Sequence, residues 1–180
     1  MVVLVKASKL IESFRNDSNV ISLLDNAKRV RVPYKLLKAE LKRFVVVTHK
    51  KLKTPEEFEK AIERMQQVQS FLDRVEEIRD DLLRAKRILL DLYQTGSIHL
   101  SEFHHIKKQV RTSSQRDEWV DEVLHPISSK RDKVLELLDL VEARMWNLKH
   151  TYSVLESQVN VGKMVWYMRN PLKNLDGRVR

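Results

Sequence analysis

The sequence predicts an all-α protein, an elongated antiparallel helical bundle with three main helices. Two of these are about 40 residues long, and shorter helices precede them. Three observations predict this class. Only three Gly and four Pro occur in 180 residues, which leaves little material for the turns of an all-β or loop-rich fold. Leu, Lys, Arg and Glu dominate, the composition of long helices. Two long stretches also carry apolar residues in steps of three and four.

The elements follow in chain order. Residues 3–15 hold Leu10, Ile11 and Phe14 together and read as a short helix. Ser18-Asn19 is a cap or turn, followed by a short helical piece from Val20 to Ala27. Pro33 opens a helix expected over 34–52, with Tyr34, Leu37, Leu41 and Phe44 on one face and Lys35, Lys38 and Lys42 on another. The β-favouring runs Val30-Arg31-Val32 and Val45-Val46-Val47 leave room for a short strand at either place.

The clearest boundary is Thr54-Pro55-Glu56-Glu57: Thr at the N-cap, Pro at the first helical position and Glu at the third form a capping box. Apolar residues then fall at Phe58, Ile62, Met65, Val68, Leu72, Val75, Ile78, Leu82, Ala85, Leu89 and Leu92. Gly96 suits a helix C-terminus, so this helix is expected over 55–94. In the middle stretch, 98–125, Phe103, Ile106 and Val110 open a helical face that Val120, Val123 and Leu124 resume. The polar run Arg111 to Asp117 interrupts it, which gives one kinked helix or two short ones, unless tertiary packing carries a single helix through.

The last helix is expected after Pro126, capped by Ser129 with Asp132. Val134, Leu138, Val141, Met145, Leu148, Tyr152, Leu155, Val159, Gly162 and Trp166 alternate steps of four and three, the repeat that favours left-handed supercoiled packing. Asn170-Pro171 stops it.

A tight turn at 94–97 would make the first two main helices neighbours. The middle element, shorter than its flanks, would leave part of the long-helix seam for residues 34–52 or a partner to cover. The expected organisation is short helices over 1–53, the long-helix bundle over 54–169 and a flexible basic tail over 170–180, as one structural domain overall.

Charge is concentrated in one place. Residues 27–53 hold ten Lys or Arg (Lys28, Arg29, Arg31, Lys35, Lys38, Lys42, Arg43, Lys50, Lys51 and Lys53) against one acid, Glu40, giving +9. The whole chain is also +9, so the other residues cancel. Such a run is either a solvated bundle face or a surface that meets an acidic partner: protein, nucleic-acid phosphate or an anionic bilayer. The cations are mostly Lys with few aromatics beside them, so nucleic-acid contact would be independent of sequence. Lying on a membrane would need an exposed apolar face that a compact bundle buries.

Other constellations are weaker. Glu102-x-x-His105 and Glu122-x-x-His125 have the spacing of carboxylate di-metal bundles. On one continuous helix they would lie about 30 Å apart, and the partner carboxylates Glu76, Glu77 and Glu142 fall off the apolar faces. They read as ordinary surface or helix-end residues, as does the adjacent pair His104-His105, whose side chains diverge by about 100° on a helix. No Ser-His-Asp order accompanies a nucleophile elbow, and Val161-Gly162-Lys163 lacks the rest of a phosphate-binding loop. With no Cys, disulfides and thiolate metal sites are excluded.

The end of the last helix is unusual. Met164-Val165-Trp166-Tyr167-Met168 is five large apolar residues in succession, and Trp146, Met164, Tyr167 and Met168 lie off the core face. Either the N-terminal helices cover them or they contact another protein, for which Trp, Tyr and Met are suited. Trp119, beside the polar run, is a weaker candidate.

The expectation is a non-enzymatic structural or adaptor protein with no cofactor, metal or small-molecule substrate. Residues 28–53 would meet an acidic surface. Trp146, Met164, Trp166, Tyr167 and Met168 would meet protein partners or a second copy. The alternatives are a sequence-independent binder of nucleic acid or anionic membrane and, remotely, a di-metal bundle. No basic segment leads into a long apolar one at the start, and no apolar run approaches 18 residues, so an intracellular, cytoplasmic location is expected.

Overall fold

The structure, a computed structural model, describes residues 16–46, 52, 54–102 and 113–169. It is an all-α bundle of two short helices, α1 (Ser18–Arg29) and α2 (Tyr34–Arg43), and two long ones, α3 (Pro55–Glu102, 48 residues) and α4 (Ser113–Arg169, 57 residues). No strand occurs among the described residues, so neither valine-rich run forms one where it is described. The expected short helix over 3–15 lies outside the described residues.

The chain forms two compact units. One contains residues up to Tyr34 with Asp80–Leu138, and so pairs the C-terminal half of α3 with the start of α4. The other contains Lys35–Arg79 and the residues from Asp139 onward, and pairs the N-terminal half of α3 with the rest of α4. In each unit the pairing of early with late residues makes α3 and α4 antiparallel.

The long helices bury the stripe that their periodicity predicts. Phe58, Val68, Leu72, Val75, Ile78, Leu82, Ala85 and Leu89 are buried on α3, and Val134, Leu138, Val141, Met145, Leu148, Leu155 and Val159 on α4. Near the start of α3 the stripe shifts by one residue: Ala61 is buried and Ile62 is exposed. The capping box forms in both directions, with the Thr54 hydroxyl accepting from the Glu57 N–H at 3.3 Å and the Glu57 carboxylate accepting from the Thr54 N–H at 3.2 Å.

Both long helices run past their expected limits. Residues 94–97 are helical, not a turn, and α3 continues to Glu102. Gly96 is a contact, not a stop, because a Cβ there would lie 2.9 Å from Leu124 Cδ2 and 3.4 Å from Leu23 Cδ1. Nor does α4 wait for Pro126, which lies inside it, while the expected caps Ser129 and Asp132 are interior residues. Val120, Val123 and Leu124 before the proline and Ile127 and Val134 after it are all buried on one continuous face. The polar run is therefore helical from Ser113 onward, and residues 103–112 lie outside the described residues.

In the first unit, Asp17 rather than Ser18 caps α1: its Oδ1 accepts from the N–H groups of Asn19 (2.9 Å) and Val20 (3.1 Å) and lies 3.0 Å from His99 Nε2 on α3. At the other end of α1, the Lys130 ammonium donates to the Ala27 carbonyl at 2.7 Å and the Lys28 carbonyl at 3.4 Å. In the second unit α2 is shorter than the 34–52 expected. It stops at Arg43, and the β-branched run begins at Val45. Leu41 and Phe44 are buried, Phe44 packs on Phe71 at 4.9 Å between ring centres, and Glu40 pairs with Arg74 at 2.7 Å.

Gly162 gives the sharper packing test. A Cβ there would collide with the Phe58 ring, with Cζ at 3.0 Å, and would meet Leu52 Cβ at 3.4 Å. Gly162→Ala gains about 1 kcal/mol of helix propensity but overpacks a buried ring at about 1–3 kcal/mol. We expect net destabilisation in urea unfolding that Phe58→Leu largely relieves in the double variant. Additive effects of the two substitutions would rule the contact out.

A second test uses the clasp between α3 and α4 in the first unit. The Tyr93 hydroxyl donates to the Asp121 carboxylate, and Arg131 lies over the Tyr93 ring at 5.4 Å. The hydrogen bond to Asp121, helped by burial, pushes the Tyr93 phenol up to about 12. The folded value exceeds the unfolded one of about 10, so this contribution is complete below pH 10 and is lost as pH rises through 12. The urea midpoint should fall over that window, and less steeply in Tyr93→Phe; parallel profiles would remove the assignment.

Candidate functional site

The basic stretch does not act as one helix. In the first unit Lys28, Arg29 and Arg31 sit at the end of α1 and in the connection after it, all exposed, with Lys28 paired to Asp25 at 2.8 Å. In the second, α2 carries exposed Lys35, Lys42 and Arg43 and half-buried Lys38. The one acid of the stretch, Glu40, is engaged by Arg74, so it does not offset these cations. The outer side of α2 also exposes Leu36 (71%), and Val45 (60%) follows it. Lys50, Lys51 and Lys53 lie outside the described residues.

The second candidate is the outer face of α4 in the second unit. Trp146 (67%), Met164 (61%), Tyr167 (50%) and Met168 (72%) are exposed, and Trp166 is half-buried against Tyr167. Of the N-terminal helices expected as a cover, α2 and the Phe44 that follows it pack instead on Phe71, Arg74 and Arg144, and the helix expected over 3–15 lies outside the described residues. Trp146 and Met164 are 18 residues apart, five helical turns or about 27 Å, so they share a face without touching.

Around and between them runs a stripe that the sequence reading missed. Ala143, His150, Ser153, Ser157 and Asn160 are exposed, and Leu140 and Val161 extend the apolar character. Residues 140–168 hold five charged side chains in 29 positions, and four of these, Glu142, Lys149, Glu156 and Lys163, recur every seven residues along one edge. By contrast, residues 56–84 of α3 hold 14 charges in 29 positions. The signal was available as heptad columns: the two beginning at Ala143 and Trp146 contain no Asp, Glu, Lys or Arg through Tyr167.

Among the described residues, no group of three or more His, Asp or Glu could hold a metal ion. Glu122 and His125 are exposed on α4, Glu76, Glu77 and Glu142 are exposed elsewhere, and His104 and His105 lie outside the described residues. No helix among the described residues is long and apolar enough to cross a membrane. No family model, curated protein or solved structure matches the chain.

If the α4 face is unpartnered in the isolated chain, its large side chains add little to folding. Met164→Ser, Tyr167→Ser and Met168→Ser together should shift unfolding free energy by less than about 1 kcal/mol, whereas Leu155→Ala, at a buried position, should cost about 2–5 kcal/mol. A triple-variant loss comparable to that of Leu155→Ala would mean that the face is covered within the chain.

Proposed function

We propose that this chain is a non-enzymatic adaptor whose helical bundle docks protein partners on the outer face of α4 and meets an acidic surface through the cations of residues 28–53. The observation that carries the reading is the charge-poor face from Leu140 to Met168, ending in exposed Val161, Met164, Tyr167 and Met168. Solvated helix faces are ordinarily charged, and interface centres are depleted of charge and enriched in Trp, Tyr and Met. Methionine adapts to irregular partner surfaces, and the neutral small residues Ser153 and Ser157 let another helix approach closely. Exposed Lys35, Lys42 and Arg43 on α2 would steer an acidic partner and fix its orientation.

The second reading, a sequence-independent polyanion binder, is favoured by those same three cations, because Arg74 occupies the nearby Glu40. The two readings differ in salt response. A photo-crosslinker placed at Val161 or Tyr167 should give protein adducts in nuclease-treated lysate that persist at high salt and disappear with Met164→Ser and Met168→Ser. Absence of such adducts would overturn the adaptor reading. The polyanion reading takes its place if affinity for nucleic acid or anionic vesicles falls steeply with salt and Lys35→Glu, Lys42→Glu and Arg43→Glu together abolish it.

A further inference from the structure

We propose that a cavity in the first unit, between the α1–α2 connection and the Pro126 region of α4, binds a phosphate monoester. The cavity has a volume of about 440 Å³. Its polar lining residues are one-sided in charge: Lys130, Lys133, His125, Ser129 and Tyr34, with no Asp or Glu among the lining residues. Pro126 and Val134 supply apolar wall.

The helix brings these groups together. Ser129 and Lys130 lie three and four residues after Pro126, and Lys133 lies four and three after them, so each has neighbours on the same side of α4 over successive turns. Like charges at Lys130 and Lys133, three residues apart, repel unless something between them is negative. Three nearby acids are engaged by other residues. Asp132 pairs with Arg131 at 3.3 Å, Asp25 with Lys28 at 2.8 Å, and Tyr93 donates to Asp121.

Lys130 is held in place. Its ammonium has three N–H donors, and the Ala27 and Lys28 carbonyls at the end of α1 accept two of them. That anchorage half-buries the residue, and burial pushes its ammonium below the usual lysine range. An anion beside it would offset that desolvation. The exposed Lys133 has no such anchorage among the described contacts and can turn onto a ligand.

Lining residues able to donate from two lysines, a histidine and a serine suit an anion with several acceptor oxygens, as a tetrahedral phosphate has. The two lysine charges match a dianion better than a carboxylate. A bare phosphate would leave the Pro126 and Val134 wall unused, whereas the organic group of an ester would lie against it. This site is separate from the α4 face discussed above and does not depend on it.

The test is a heteronuclear NMR titration of the full chain with inorganic phosphate and with phenyl phosphate, at constant ionic strength and about pH 7.5, where both probes are mostly dianions. We expect saturable shifts confined to residues 32–34 and 125–134, weakened about tenfold in Lys133→Gln, the loss of roughly one charge-assisted contact. Lys133 is exposed, so this variant should fold normally, and Ser129→Ala should weaken binding independently. Tighter phenyl phosphate supports an ester ligand. Saturable binding that is equal for both probes, or tighter for inorganic phosphate, moves the assignment to free phosphate and overturns the ester. Shifts that do not saturate, that sodium chloride reproduces, or that both variants leave unchanged overturn the site.

Discussion

Everything in this fold depends on an apolar stripe that stays in phase along both long helices. Two residues ought to interrupt it. Gly96 costs α3 about 1 kcal/mol relative to Ala, and Pro126 costs α4 about 3 kcal/mol or more. Against this, stopping α3 at Gly96 would expose Leu100, and starting α4 after Pro126 would expose Val120, Val123 and Leu124, all buried. At about 1.5–3 kcal/mol for each side chain, those four outweigh both breakers. Burial therefore decides where the helices begin and end, and local propensity yields to it.

The short helices are secondary to that stripe, and polar contacts place them. Asp17 serves two elements at once, capping α1 and meeting His99 near the end of α3. Lys130 closes the other end of α1 by donating to its last carbonyls, where a cation also complements the helix dipole. For α2 the corresponding contacts are Glu40 with Arg74 and the Arg144 guanidinium donating to the Phe44 carbonyl. The exposed Glu40–Arg74 pair adds little energy, about 0–1 kcal/mol, but it and the part-buried contacts are directional. The apolar contacts of Val20, Ala27, Leu41 and Phe44 supply the burial, and the polar contacts choose among the orientations that would satisfy it.

This division explains what was legible in the sequence. The helical class, the capping box at Thr54 and the buried residues of α3 and α4 all follow from local spacing, which the chain obeys over long stretches. The misread boundaries of α3 and α4 lie at residues whose local chemistry says stop while their surroundings say continue. Gly96 resembles a C-cap until Leu124 and Leu23 occupy the space where its Cβ would be. Pro126 resembles a helix start until the apolar residues on either side of it prove to share one face. Conversely, 34–52 looked like one amphipathic helix, but α2 ends where the β-branched valines begin. The basic stretch was legible as a charge count but not as a surface, because its cations divide between two units. The exposed end of α4 was legible as an anomaly, since five successive large apolar residues cannot all face one core.

The contrast between the long helices bears most directly on function. Both bury a comparable stripe, and both need solvent on the remaining sides. On α3 the outer positions are mostly Asp, Glu, Lys and Arg, the usual solution for a surface helix. On α4 beyond Leu140, charge is confined almost entirely to the column of Glu142, Lys149, Glu156 and Lys163, and the neighbouring columns hold Ala, Ser, Asn, His, Trp, Met and Tyr. Packing against α3 does not require that composition, because the buried positions of α4 are satisfied without it. Helix propensity does not require it either, since Ser, Asn and His are poorer helix formers than the Lys and Glu they stand in for. A neutral, partly apolar face that serves neither the core nor the helix is what supports the proposal that a partner docks there.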